Sequence, residues 1–158
     1  MSEKRILIVD YSSQSLDSLA QLFKSHKFQI IKATDGNSAY EKFKSERPDL
    51  VILEAMLPKL HGFDLTKKIS QETKGKIPII IVTGVYKGPH FKHEALTSLG
   101  ASDYFEKPFD KEKLVSAVLN LLNEEPDIQE ELPNSKSIIE NLSRRIKARM
   151  DKSFLKSK

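Results

Sequence analysis

Five short apolar runs punctuate the chain, and the stretches between them carry helical spacing. The runs are Arg5–Val9 (RILIV), Phe28–Ile31 (FQII), Leu50–Leu53 (LVIL), Ile77–Val82 (IPIIIV) and Asp103–Phe105 (DYF). The first, third and fourth are apolar almost without alternation, as strands buried on both faces of a parallel sheet are. Leu16, Leu19, Ala20, Leu22 and Phe23 mark one amphipathic helix, and Ala39, Tyr40 and Phe43 a second. Phe63, Leu65 and Ile69 mark a third, and Phe91, Ala95, Leu96 and Leu99 a fourth, with Gly100 as its C′ residue. A fifth runs through Leu114, Val115, Val118, Leu119 and Leu122, with Asp110 placed to cap its start.

Five alternating strand and helix units predict an α/β fold. Its core is a doubly wound, five-stranded parallel sheet with right-handed crossovers and helices on both faces. Ligands of such folds bind beyond the carboxyl ends of the strands, near the topological switch point. That rule singles out Asp10, Glu54, Thr83 and the segment after Phe105.

Past Asn123 the texture changes. Residues 124–134 are acidic, contain two prolines and show no periodicity, which reads as a linker. Residues 135–158 then place Ile138, Ile139, Leu142, Ile146 and Met150 on an apolar stripe among Arg144, Arg145, Lys147 and Arg149. Charge divides at the same place. Residues 1–133 hold 18 Lys/Arg against 20 Asp/Glu, whereas residues 134–158 hold 8 against 2. The net charge of +4 therefore belongs to the tail, and the body is not a nucleic-acid binder by charge. The expected organisation is one domain over residues 1–123, the linker, and a basic amphipathic tail that is helical or disordered. Four uses of the tail stay open: docking in a partner's groove, nucleic-acid contact, an anionic membrane surface, or plain solvation. No helix-turn-helix or zinc-finger pattern accompanies it, which makes nucleic acid the weaker partner.

With 158 residues and 39% apolar content the chain is expected to be soluble. No run of ~18 apolar residues predicts a membrane span. MSEKRILIVD lacks the apolar core and cleavage site of a signal peptide. No cysteine is present, which removes disulfides, thiolate metal sites and a Cys nucleophile, and fits a cytoplasmic protein.

Four motifs stand at the strand ends: ILIVDYS, LVILEAMLPKLHG, IIIVTG and YFEKPF. In order and spacing they resemble the response-regulator receiver domains of two-component signalling, over about residues 4–123. The resemblance implies the flavodoxin-like receiver fold and a phosphorylation pocket. In that family an acidic pair after the first strand holds Mg²⁺, and an aspartate after the third strand accepts the phosphoryl group. A Thr or Ser after the fourth strand and a Lys before a proline bind the phosphoryl oxygens, and an aromatic before that Lys turns inward on activation. By resemblance these roles fall on Thr83, on Lys107 with Pro108 in a cis bond behind it, and on Tyr104.

Two positions depart from the family. The acceptor position holds Glu54, and the second member of the acidic pair is Tyr11, which leaves only Asp10. Mg²⁺ is normally held in near-octahedral geometry by carboxylates, phosphate and water, and a neutral phenol is a poor replacement. Glu54 carries its carboxylate about 1.5 Å further out, one carbon–carbon bond. A displacement of ~1 Å from in-line geometry loses ~10²-fold in rate. The pocket is therefore expected to be degenerate, with Mg²⁺ binding weak or absent, no other cofactor and no enzymatic activity.

Glu54 is also readable as a solvent-facing loop acid, though it directly follows an apolar strand. Inside the pocket it either mimics the phosphorylated state or only fills the space, and an ion pair with Lys107 would satisfy both charges. Thr83 and Tyr104 are also readable as a strand-end threonine and a packed core aromatic. His90 and His93, three apart, have no carboxylate cluster to complete a metal site. Gly84 and Gly88 in GVYKGP suggest a mobile loop beside the pocket. The favoured function is phosphorylation-independent signalling by protein contact, through the face of the fourth helix, fifth strand and fifth helix, the tail, or both. An orthodox receiver served by a histidine kinase, and a nucleic-acid-binding regulator acting through the tail, are the alternatives.

Overall fold

The computed structural model describes residues 3–123, so the linker and the basic stretch 135–158 lie outside the described residues. The elements alternate: β1 (Lys4–Val9), α1 (Ser13–Gln21), β2 (Phe28–Ala33), α2 (Gly36–Glu46), β3 (Leu50–Leu53), α3 (Gly62–Thr73), β4 (Ile79–Thr83), α4 (Pro89–Glu94), β5 (Asp103–Glu106) and α5 (Lys111–Leu121). The strands form one sheet in the order β2-β1-β3-β4-β5, and every pairing is parallel. The predicted doubly wound α/β receiver fold is the one present. The winding direction reverses between β1 and β3, which opens a crevice at their carboxyl ends.

Period-two alternation sends successive strand residues to opposite faces. Ile6, Ile8, Leu50, Ile52, Ile80 and Val82 meet α1, the turn after it and α5 through Leu16, Leu19, Phe23, Leu114 and Val118. Leu7, Val9, Val51, Leu53, Ile79 and Ile81 meet the other layer through Ala39, Phe43, Leu65, Ile69 and Ala95. Strands β3 and β4 are buried along their whole length, which is why their sequences show no alternation.

Strand β4 begins at Ile79 and not at Ile77, because Pro78 has no N–H to donate to a ladder; its carbonyl accepts from Val51 N at 3.0 Å. The fourth helix also departs from its expected form. α4 is six residues long and continues as a π-helical turn over Ala95–Leu99. The extra residue in that turn breaks the 3.6-residue stripe, so Ala95 is buried while Leu96 is exposed. Gly100 ends the segment with φ +85°, and an added Cβ there would stand 2.0 Å from Ser70 Oγ. Ser12, Asp35 and Asp110 cap α1, α2 and α5 with their side chains.

Candidate functional site

Four polar or charged side chains are buried among the described residues, and three of them, Asp10, Glu54 and Thr83, stand together at the carboxyl ends of β1, β3 and β4. These strands are neighbours in the sheet, so residues at their ends converge. Lys107, just after β5, completes the cluster. A buried charge is tolerated only when paired, and the contacts show how each is met.

Asp10 is fully engaged. Its Oδ1 accepts from Ser12 N at 3.0 Å, and its Oδ2 accepts from Ser15 Oγ at 2.6 Å and from Lys107 Nζ at 2.9 Å. Lys107 also donates to Ser15 Oγ at 3.0 Å. The Lys107 ammonium lies 3.2 Å from Glu54 Oε2, so Glu54 and Lys107 form an ion pair. That contact misses hydrogen-bond geometry, and Oε2 has no hydrogen-bond partner. Burial pulls the Lys107 pKa down, but the hydrogen bond and charge of Asp10 and the charge of Glu54 outweigh it and hold the group above its ordinary value.

The other oxygen of Glu54 looks toward β4. Thr83 Oγ1 donates to Glu54 Oε1 at 2.9 Å, and Met56 N donates to the same oxygen at 3.4 Å. Thr83 Oγ1 in turn accepts from Val85 N at 3.1 Å and Tyr86 N at 3.4 Å. One hydroxyl thereby ties the carboxylate to the loop after β4.

That loop holds Tyr104. The Tyr104 ring is 3% exposed, and its hydroxyl donates to the Tyr86 carbonyl. Burial, then the charges of Glu106 and Glu54, push its pKa up to about 12. The Tyr86 ring lies against His61, Phe63 and Phe91 at centroid distances of 5.4, 5.1 and 5.3 Å. His61, the cap of α3, accepts from Phe63 N at Nδ1, which leaves Nε2–H to meet the Tyr86 hydroxyl at 3.0 Å. The loop expected to be mobile is anchored at Tyr86 on both sides.

Of the residues singled out from sequence, Asp10, Glu54, Thr83 and Lys107 meet in one cluster. Tyr104 joins them through Tyr86, and the Lys107–Pro108 bond is cis. Thr83 is no ordinary strand end, since it bridges the carboxylate and the loop. Tyr11 is a correction: it is 55% exposed and its phenol bonds no described residue, so it belongs to the rim and not to the pocket. Ser15, Tyr86 and His61 were missed. Ser15 had a legible cue, since it lies in the first turn of a helix starting just beyond Asp10; the other two act through contacts made only by folding. Gly62 was missed as well: a Cβ there would stand 2.4 Å from the Glu54 carbonyl oxygen. His90 and His93 are both exposed.

The residues present do not fit the Mg²⁺ that the family resemblance implies. Mg²⁺ demands oxygens at ~2.0–2.1 Å in octahedral array. Both oxygens of Asp10 are already hydrogen-bonded, and an ammonium stands at contact distance from both carboxylates. No group of three or more His, Cys, Asp or Glu able to hold a metal occurs among the described residues.

Comparison with known proteins agrees with the fold. The family model described as response regulator receiver domain matches residues 6–119. The alkaline phosphatase synthesis transcriptional regulatory protein PhoP of Bacillus subtilis is 34% identical over 119 residues, which is 75% of this chain and 48% of PhoP. The chain thus spans about half the length of that relative. Protein PilH of Pseudomonas aeruginosa is 33% identical over 115 residues, 72% of this chain and 93% of PilH. A CheY-like response regulator receiver domain protein from Methanospirillum hungatei superposes with TM-score 0.70 at 29% identity, covering 77% of this chain and 95% of that one. The chain belongs to the response-regulator receiver domains of two-component signalling.

Proposed function

We propose that this receiver is a pseudo-receiver that signals by protein–protein contact without taking up a phosphoryl group. One observation carries the reading, that Thr83 Oγ1 already donates to the Glu54 carboxylate, and the burial of Tyr104 agrees with it. In the family that Thr binds the phosphoryl group and that aromatic turns inward on activation. Glu54, longer than the family aspartate, puts a carboxylate oxygen where it satisfies Thr83, so the charge supplied elsewhere by phosphate is supplied by the side chain. Glu54 is on this reading a mimic of the phosphorylated state. The domain has no catalytic role of its own, needs no histidine kinase as donor and has little use for Mg²⁺.

The output surface is the face of α4, β5 and α5. An open groove of about 1070 Å³ runs there, with Tyr104, Phe105, Pro108, Phe109 and Ala117 among its lining. A groove of that size beside the buried Tyr104 suits a partner segment. The basic residues 135–158 are a second proposed contact region, on their charge alone. No helix among the described residues is long and apolar enough to cross a membrane.

Incubation with acetyl phosphate and Mg²⁺, followed by intact-mass measurement, tests the reading. The expected mass is unchanged. A gain of one phosphoryl group, mapped to the pocket and abolished by Glu54→Gln, overturns it in favour of an orthodox receiver.

A further inference from the structure

We propose that the outer edge of β2 is an interface between two copies of this chain, which pair there antiparallel about Ile30 and join their sheets into one. The inference goes beyond the pseudo-receiver reading, because nothing in it depends on what Glu54 accepts. β2 is one edge of the sheet, and β5, with the groove described above, is the other.

The backbone of β2 divides by parity. The Ala33 carbonyl accepts from Asp10 N at 3.1 Å, and Ala33 stands beside Val9 in the parallel register. Backbone groups alternate in direction along a strand, so Gln29, Ile31 and Ala33 turn their N–H and C=O toward β1. Phe28, Ile30 and Lys32 turn theirs outward. Two of these outward groups are met within the chain: Phe28 N donates to the His26 carbonyl at 2.8 Å, and the Lys32 carbonyl accepts from Lys42 Nζ. Ile30 N, Ile30 O, Phe28 O and Lys32 N have no partner among the described residues. An edge in this state is a template for another strand.

The open groups fit a second copy of themselves. With a two-fold axis at Ile30, each Ile30 N–H donates to the Ile30 carbonyl of the other copy, the doubly bonded pair of an antiparallel ladder. Lys32 N–H then reaches the Phe28 carbonyl of the other copy, and the symmetry forms that bond twice. The pairing left over in this register, Phe28 N–H with the Lys32 carbonyl, joins the two groups already satisfied inside each chain. No like charges are opposed. Ile30 faces Ile30, Gln29 faces Ile31, and Phe28 faces Lys32, whose ammonium is met by Asp17 at 3.0 Å. On the α1 side a hollow of about 510 Å³ runs beside the strand, with Ala20, Phe23, Phe28 and Ile30 in its lining. Phe28 and Ile30 are only half-buried in the single chain, so pairing covers apolar surface as well.

The test uses the full chain, which has no cysteine, so a single introduced thiol reports the register. Gln29 and Ile31 would form the pair without ladder bonds, where Cα atoms stand ~4.5 Å apart, within the ~4.4–6.8 Å of a disulfide. Gln29→Cys and Ile31→Cys proteins, mixed with an added oxidant, are expected to give the mixed disulfide in clear excess over either symmetric one. Sedimentation velocity of the wild type is expected to show a dimer that grows with concentration, and the Ile30 amide to exchange more slowly as it forms. Ile30→Lys sets two ammoniums on the axis and is expected to weaken the dimer about tenfold or more. A wild type that stays monomeric at every concentration reached overturns the inference, even if a foreign extended peptide protects the Ile30 amide instead. A dimer whose mixed cysteines do not cross-link preferentially overturns it too, since the copies then meet elsewhere. If Ile30→Lys loses its cooperative melt, the cysteine mixture decides alone, because Gln29 is exposed and Ile31 half-buried, and neither change puts a charge into the sheet.

Discussion

Thr83 Oγ1 donates to Glu54 Oε1 at 2.9 Å, so a hydroxyl at the end of β4 and a carboxylate at the end of β3 satisfy each other in a buried site. The same hydroxyl accepts from two amides of the following loop, and that loop's Tyr86 carbonyl accepts from Tyr104. A charge at position 54 is thereby connected to Tyr104 on β5 through bonded neighbours only.

Thr83→Val keeps the shape and removes the hydroxyl. Glu54 Oε1 is then left with the Met56 amide at 3.4 Å, a long bond for a buried carboxylate. The expected cost is about 1–3 kcal/mol, the range for leaving a buried polar group unsatisfied. Chemical denaturation measures it, and a change below about 0.5 kcal/mol, as surface substitutions give, shows that the bond is dispensable.

Gly62→Ala places a methyl group against the backbone beneath Glu54. The built Cβ stands 2.4 Å from the Glu54 carbonyl oxygen and 2.7 Å from Ala55 Cα, neither of which is a flexible end. Overpacking of this kind costs ~1–3 kcal/mol or more. The variant is expected to melt earlier and to shift the Glu54 and Thr83 amide resonances; an unchanged melting curve contradicts the close approach.

Tyr86 separates two contributions. Tyr86→Phe loses the bond to His61 but keeps the ring against Phe63 and Phe91, and should cost ~0.5–1.5 kcal/mol, as a single hydrogen bond does. Tyr86→Ala loses the ring as well and should cost more, though less than the ~3–5 kcal/mol of a fully buried aromatic. Hydrogen exchange at Val85 and Tyr86 amides should quicken in Tyr86→Ala. Equal costs in the two variants would mean that the aromatic contacts do not hold the loop.

Alkaline pH should loosen the site. Tyr104 has a folded pKa of about 12 against an ordinary 10.0, and Lys107 is raised above 10.5. For both groups the folded value exceeds the unfolded one, so the stabilisation is whole below pH 10 and is lost as pH climbs through the folded values. A tyrosinate absorbance titration should show a component lagging toward pH 12, absent from Tyr104→Phe. A titration with no late component contradicts the burial of Tyr104.

The alternation of apolar runs with helical spacing was enough to set the sheet, its parallel strands and the position of the site, because double-sided burial and the carboxyl-end rule depend only on local pattern and connectivity. The motifs at the strand ends further placed Glu54, Thr83, Tyr104 and Lys107 in one family of pockets. Tyr11 shows the limit of that route. Its position in the motif suggested a pocket residue, but whether a side chain beside a strand end turns in or out depends on the backbone of the turn.

What the sequence determined by itself was the layering of the fold and the departure of Glu54 from the family's aspartate, since both are properties of residue type and order. Tertiary structure alone decided where the charges find partners. Ser15 reaches Lys107 across 92 positions of chain, and His61 reaches Tyr86 across 25. The π turn after α4 is of the same kind, since it turns Leu96 out of the apolar stripe the spacing predicts. These contacts are set by how strands and helices pack in space, and no local pattern of apolar and polar residues encodes a distance between side chains that far apart.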